Sequence, residues 1–200
     1  MFSFFKKKPR SALDAAALTI QNTDLNNPSV KDLCFGGVFA PAIAFFEDLK
    51  DEKDLPRDYY SDGVFFDWVT YLIFRVDFFC FTEKPSSRDF IVNVLYSCAD
   101  DIFSKAMAIS GEDVAELIDD RMAFYGSLAK TGADIQVAQT AVLRCFHDTA
   151  NNKGIPRSGI SRRFEPASAF DEFYIQKVLF NWHAKSLSLI HSLFRDIIDA

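Results

Sequence analysis

The residues of this sequence best suited to chemistry are charged side chains embedded in apolar stretches. Asp67, Arg75 and Asp77 lie between positions 64 and 81, in a run that is otherwise almost wholly apolar. Buried charges are costly unless they are paired. Arg121 sits inside the apolar stripe of a later segment, so we predict that it reaches a carboxylate such as that of Asp77.

Such a group has two interpretations. It is either a structural ion pair, with an arginine stem lying along apolar surface, or a polar pocket for an anionic ligand. The candidate pocket comprises the charged and polar residues Arg75, Asp77, Arg121, Tyr125 and His183.

The three histidines fit no metal-site template. His183 and His191 are eight residues apart, which on a helix separates them by roughly 12 Å along the axis. No HExxH, GxSxG, phosphate-binding loop or GxGxxG occurs. We therefore predict no metal, no cofactor and no catalytic residue. An enzyme would require His147 and His183 to converge with Arg121 and Asp77 around one cleft.

The clearest positive patch lies in a segment without acids, within a chain whose net charge is −6. This candidate site for an anion or an acidic partner consists of Lys153, Arg157, Arg162 and Arg163. A solvated linker is the alternative interpretation. Nucleic-acid binding is disfavoured because it depends on cations that neutralise phosphates.

Helix starts follow one local pattern, in which Ser or Thr precedes Asp by three residues. It occurs at Ser11, Ser29, Ser86, Ser110, Thr131 and Ser168, and Ser61 or Asp62 offers a further start. The sequence therefore predicts an all-α protein, a single compact bundle of about seven helices. Gly36, Gly37 and Pro41 are expected to split or kink the second one.

A long C-terminal helix is predicted over residues 167–199. Four apolar residues in it recur every seven positions, as in a packing seam, and form a candidate interface: Phe173, Phe180, Leu187 and Phe194. We expect residues 1–10 to be a flexible segment and residues 11–200 to form one helical domain, with 151–166 as a surface loop.

Composition favours a soluble, cytoplasmic chain. The 22 phenylalanines require a core, an interface or a ligand pocket, and the four separated cysteines are predicted to be buried free thiols.

Residues 64–81 have the length of a membrane span, but their charges disfavour insertion, so we predict a central buried helix. Phe2, Phe4 and Phe5, followed by cations, suit weak membrane contact at most.

The stretch LDAAALTIQNTDLNNPSVKDLC resembles the opening of TetR-type repressors. The matching positions, where that family's first two helices carry similar residues, are Leu13, Asp14, Ala15, Ala16, Ile20, Ser29, Val30, Asp32 and Leu33. The resemblance implies an all-α DNA-binding regulator. Its recognition helix would be VFAPAIAFFEDL, which has no cation to read bases.

These observations leave several functions open. The leading hypothesis is a non-catalytic helical module that acts through protein contacts, with itself or with a partner. The alternatives are a small-molecule or lipid binder with an aromatic-lined pocket, a TetR-like regulator, and an enzyme of unknown class.

Overall fold

The computed structural model describes residues 11–24, 26–51 and 56–129, with six isolated residues further along: Cys145, Thr149, Ala150, Ser188, Ser192 and Phe194. The described residues form five α-helices: α1 (Ala12–Gln21), α2 (Val30–Lys50), α3 (Asp62–Glu83), α4 (Arg88–Met107) and α5 (Gly111–Ala129). Two 3₁₀ turns, Arg57–Tyr60 and Pro85–Ser87, precede α3 and α4.

No strand occurs among these residues, so the all-α prediction is confirmed. The count of seven helices, the flexible segment 1–10, the loop 151–166 and the long final helix concern residues outside this part.

Serine side chains begin several helices as the sequence predicts. Ser29 Oγ accepts the Asp32 N–H at 3.2 Å, and the Asp32 carboxylate accepts the Ser29 N–H at 2.9 Å. Ser110 and Asp113 form the same reciprocal pair before α5. Ser11 accepts one backbone N–H at the start of α1. These contacts satisfy helix-end donors that no carbonyl of the helix can reach.

The start of α4 differs from this pattern. The residue preceding α4 is Ser87, and its side chain makes no capping hydrogen bond. Ser86, which the sequence pattern favoured as the cap, lies inside the 3₁₀ turn Pro85–Ser87 instead. Proline fixes its own φ near the helical value, so Pro85 begins a turn that leads directly into α4.

Helix α2 is not split at its glycines and proline. It runs without interruption from Val30 to Lys50, with Pro41 inside it. An internal proline costs about 3 kcal/mol, but α2 buries a nearly continuous apolar surface that offsets this, including Phe39, Phe45 and Phe46. The TetR resemblance would make residues 38–49 of α2 a recognition helix. These residues instead face the core, since the following are all buried: Val38, Phe39, Ala42, Phe45, Phe46 and Leu49.

Helix α3 is the central helix of the described bundle, as predicted. It packs against α1, α2, α4 and α5, and Val64 to Ile73 are all buried. Aromatic rings join the layers edge to face: Phe66 meets Phe103 of α4 at 5.0 Å between centroids, and Phe65 meets Phe46 of α2 at 5.1 Å. None of the described helices is both long enough and apolar enough to cross a membrane.

All four cysteines are free and buried, which confirms the prediction. Burial raises the pKa of the Cys34 thiol to about 12, and it raises those of Cys80 and Cys98 to about 11. Thiols in this state stay protonated near neutral pH and are poor nucleophiles.

Candidate functional site

The most concentrated chemistry in the described part of the chain is a buried ion pair between α3 and α5. Arg121 Nε donates to Asp67 Oδ1 at 2.7 Å. The Arg121 side chain is 1% exposed and that of Asp67 is fully buried. Arg121 lies within the apolar stripe of α5, and this stripe faces the most deeply buried part of α3, where Asp67 is located.

Two residues that follow α5 in the chain, Cys145 and Thr149, extend this pair into a larger group. We call the five residues Asp67, Arg121, Tyr125, Cys145 and Thr149 the polar centre. Thr149 Oγ1 donates to Asp67 Oδ2 at 2.5 Å and lies 3.4 Å from Arg121 Nη2. The Tyr125 hydroxyl lies 3.4 Å from Cys145 Sγ and 3.5 Å from the Asp67 carbonyl oxygen. Each residue of the polar centre therefore makes a hydrogen bond to at least one other residue of the centre.

Burial sets the ionisation of the polar centre. Loss of water raises the pKa of Asp67 above 3.8, although Arg121 and the Thr149 hydroxyl favour the carboxylate. Burial by itself would lower the pKa of Arg121, but the Asp67 charge, the nearby Cys145 and Tyr125 and the hydrogen bond to Asp67 together hold that pKa above its ordinary value. Burial also raises the pKa of Tyr125 well above 10. Arg121 therefore remains a cation, and Asp67 supplies its counter-charge.

This geometry suits structure better than reaction chemistry. A general base or nucleophile must lie within hydrogen-bond reach of a substrate atom. Asp67, Thr149 and Cys145 are all fully buried and face one another. Among the described residues there is also no cluster of histidine, cysteine or carboxylate side chains that could hold a metal ion.

Asp77 does not pair with Arg121 as the sequence suggested. Its carboxylate binds Arg88 of α4 in a two-pronged contact, Nε–Oδ1 at 2.6 Å and Nη2–Oδ2 at 3.0 Å. Ten residues on a helix separate Asp67 from Asp77 by about 15 Å along the axis and about 80° around it. Asp67 consequently faces α5, whereas Asp77 faces α4.

Arg75 and Tyr71 continue the polar side of α3 beyond the polar centre. Asp67, Tyr71 and Arg75 are spaced by four residues and so share one helix face. Burial raises the pKa of Tyr71 to about 12, while Arg75 acts to lower it by its charge and a hydrogen bond. Arg75 Nε is buried and has no hydrogen-bond partner in the described part of the chain. Of the predicted pocket, Arg121 and Tyr125 both contact Asp67, Asp77 pairs with Arg88 instead, and His183 lies outside the described residues.

A second feature lies where α3 turns into α4. The two helices are antiparallel, because Asp77 contacts Arg88 near the turn while Phe66 contacts Phe103 far from it. Three phenylalanines at this turn are open to solvent: Phe78 is 44% exposed, Phe81 61% and Phe90 59%. We call the region around the turn, residues 74–90, the hairpin end.

The hairpin end also contains an arginine that contacts both a carboxylate and an aromatic ring. The Arg88 guanidinium lies 5.6 Å from the centroid of the Phe81 ring while it binds Asp77. The positive charge of Arg88 is thereby paired with Asp77, and the side chain is directed toward α3. Phe90, two residues further along α4, projects about 200° around that helix from Arg88. The exposed rings thus stand on both helices of the hairpin.

The remaining predicted site residues are placed as follows. The basic patch, Lys153, Arg157, Arg162 and Arg163, lies outside the described residues. So do Phe173, Phe180 and Leu187 of the candidate interface. Phe194, its fourth member, is fully buried within the single chain, and is therefore part of the core of one molecule and not on a surface open to a second.

The sequence predicted that Cys145 is buried but not its contact with Tyr125, and it indicated neither Thr149 nor the hairpin end. Cys145 and Thr149 are helical and four residues apart, which is the spacing that places two side chains on one face. That spacing was a usable signal. In the hairpin end, Phe90 directly precedes the apolar residues Ile91, Leu95 and Cys98 of α4, and the structure buries those three residues but not Phe90.

The chain matches no protein-family model, no curated protein and no solved structure.

Proposed function

We propose that this protein is a non-catalytic helical module that acts through protein contacts, with the hairpin end as its contact surface. The observation that carries the proposal is the exposure of Phe78 and Phe81 at the end of α3 and of Phe90 at the start of α4. Every other phenylalanine in the described part of the chain is buried or half-buried.

The position of these rings is what favours a contact surface. Exposed apolar residues scattered singly are normal in soluble proteins, whereas a local group of them is typical of interaction sites. The other large hydrophobic residues that the described surface exposes are Leu18 and Val30, at 40% and 37%. Phenylalanine and arginine are also residue types enriched at protein interfaces.

The polar centre supports a role other than catalysis. Its charged and hydrogen-bonding groups are satisfied within the protein, so no reacting atom among them is offered to a substrate. Its contacts instead join α3, α5 and the residues Cys145 and Thr149. This is the arrangement expected of a scaffold that holds an external surface in place.

Site-specific photo-crosslinking tests the proposal. A photoreactive phenylalanine analogue is placed at Phe81 of the full chain, expressed in its native cells, and adducts are identified by mass spectrometry. The control places the analogue at Glu116, which is exposed on α5. We expect a defined protein adduct from position 81 that position 116 does not give. Equal labelling at the two positions would refute the hairpin end as a contact surface.

A second candidate function, binding of a small anionic ligand, is favoured by Arg75. Its buried Nε has no hydrogen-bond partner among the described residues, and an unsatisfied buried donor costs about 1–3 kcal/mol. A ligand carboxylate or phosphate accepting from it would remove that cost. Native mass spectrometry of the protein purified under mild conditions, compared with Arg75→Met, tests this. A retained mass in the first sample alone supports it, and identical bare masses contradict it.

A further inference from the structure

We infer that Arg75 and Phe78 of α3 form a binding site for a small carboxylic acid that carries an apolar ring. This inference rests on the second candidate function, an anion held by Arg75, and names the chemical class of that anion. Three observations carry it: the unoccupied edge of the Arg75 guanidinium, the contacts that the other helical arginines make, and the exposed ring beside Arg75.

The Arg75 guanidinium has a hydrogen-bond partner on only part of its edge. Arg75 is half-buried and donates to the hydroxyl of Tyr71, one turn earlier on α3. Within the described part of the chain, its buried Nε has no hydrogen-bond partner and its charge forms no ion pair. An arginine keeps its charge in a protein, and bulk solvent does not reach Nε. A bound acceptor with a negative charge would satisfy both needs.

The other two arginines in the described α-helices show which acceptor suits this edge. Arg88 binds the two oxygens of Asp77 through Nε and Nη2, at 2.6 and 3.0 Å. Arg121 donates its Nε to Asp67 Oδ1 at 2.7 Å. A carboxylate is planar, and its two oxygens match two parallel N–H bonds of a guanidinium. A ligand carboxylate on Arg75 would therefore repeat a contact that this protein already makes twice.

The acids of α3 do not supply that carboxylate. Asp77 follows Arg75 by two residues, which places it about 200° around the helix, and it is bound to an arginine of α4. Asp67 is bound to an arginine of α5. The remaining acids stand at the two ends of α3, at least about 12 Å from Arg75 along the axis: Asp62 and Glu83. The counter-charge must therefore come from outside this helix.

The ring beside Arg75 indicates the rest of the ligand. Phe78 follows Arg75 by three residues, which places it about 4.5 Å along α3 and about 60° around it. Its side chain is 44% exposed, and its ring centroid lies 6.4 Å from that of Phe74. A ring attached to a carboxylate on Arg75 would lie within reach of Phe78, and aromatic pairs attract each other. Phe81 projects about 120° away from Arg75 around α3 and is not part of this site.

Fluorine NMR of 4-fluorobenzoate, titrated with the purified full chain, tests the inference. This probe combines one carboxylate with one ring. We expect saturable broadening of its resonance with a Kd below about 1 mM, which is the strength expected when a ligand of about ten heavy atoms binds efficiently. The uncharged analogue 4-fluorobenzyl alcohol keeps the ring, and it should bind at least tenfold more weakly.

Three variants locate the binding. Arg75→Met removes the guanidinium and should weaken the binding of 4-fluorobenzoate at least tenfold. Phe78→Ser removes the ring and should weaken it about two- to tenfold, the range that one aromatic pair contributes. The matched control is Arg57→Met, which removes an exposed arginine just before α3 and should bind as the wild type does. Circular dichroism confirms that each variant is folded.

The outcomes separate this inference from the second candidate function. Inorganic phosphate that raises the melting temperature of the wild type but not of Arg75→Met, while 4-fluorobenzoate does not bind, overturns the carboxylic acid and leaves an anion site standing. No effect of either probe on the wild type overturns both. Equal binding of 4-fluorobenzoate by the wild type and Arg75→Met overturns Arg75 as its site, and unchanged binding by Phe78→Ser overturns the apolar ring.

Discussion

Arg121 of α5 donates its Nε to Asp67 of α3 at 2.7 Å, in a place where neither side chain reaches water. The hydroxyl of Thr149 joins the same carboxylate. A buried charge must keep its partner, so the pair adds a directional contact to the apolar packing that already places α5 against α3. Helix α3 in turn carries Phe78 and Phe81 of the hairpin end.

The first prediction concerns removal of one partner. Arg121→Met leaves the Asp67 carboxylate buried without its counter-charge, and we expect the free energy of unfolding to fall by about 3–5 kcal/mol. Urea denaturation measures this. The control replaces the whole group with apolar side chains of similar size, Asp67→Leu/Arg121→Met/Thr149→Val, which should equal the wild type or exceed it by about 1–4 kcal/mol. A single variant as stable as the wild type would mean that water reaches the pair.

The second prediction concerns pH. Burial raises the pKa of Asp67 above its unfolded value of 3.8, so the folded state holds this proton more tightly than the unfolded state. The stabilisation from Asp67 is then fully present below pH 3.8 and is lost as the pH rises through the higher folded-state pKa. The pKa values of Arg121 and Tyr125 around it are both raised, so these two groups do not titrate in this acidic range.

The comparison with Asp67→Asn isolates that effect from the other carboxyl groups. Denaturation of both proteins between pH 4 and pH 7 should show the wild type gaining stability relative to the variant as the pH falls. A difference that is constant with pH, or that grows toward neutral pH, would show that the folded-state pKa is not raised.

The third prediction uses the caps. Ser29→Ala removes the hydroxyl that accepts the Asp32 N–H, and should lower the free energy of unfolding by about 0.5–2 kcal/mol. Ser86→Ala changes a serine with the same sequence context that caps no helix, so its effect should stay within about 0.5 kcal/mol. Thermal denaturation of the two variants provides the test. Equal losses would place a working cap at Ser86.

The fourth prediction concerns the end of α4. Ala108 has φ 54° and ψ 44°, a left-handed conformation that disfavours a side chain. Ala108→Gly should therefore stabilise the protein by about 0.5–1 kcal/mol, whereas Ala106→Gly, inside the regular part of α4, should destabilise it by about the same amount. Melting temperatures that fall in both variants would contradict the left-handed turn.

Local features of the fold were predictable from sequence, and distant ones were not. The capping pairs Ser29–Asp32 and Ser110–Asp113 act within three residues, so the sequence contains all that determines them. The continuity of α2 through Pro41 depends on rings of α3 and α4 that cover it, which no local pattern reports. Tertiary burial there outweighs a local helix breaker.

The same limit applies to the candidate site. The cost of burying a charge predicted that Arg121 would have a carboxylate partner. The choice between Asp67 and Asp77 depends on their different directions around α3 and on which helix lies on each side. Phe90 is exposed although Ile91 and Leu95 of the same helix are buried, because it projects about 200° around α4 from Arg88, the residue that contacts α3.

The central claim, that the rings of the hairpin end enter a protein contact, is tested most directly by fluorine NMR of a trifluoromethyl-phenylalanine at position 81. We predict that its resonance shifts or broadens when the protein is placed in extract of its native cells, while the same probe at position 18 shows no change. A resonance at position 81 that stays sharp and fixed in that extract would contradict the account.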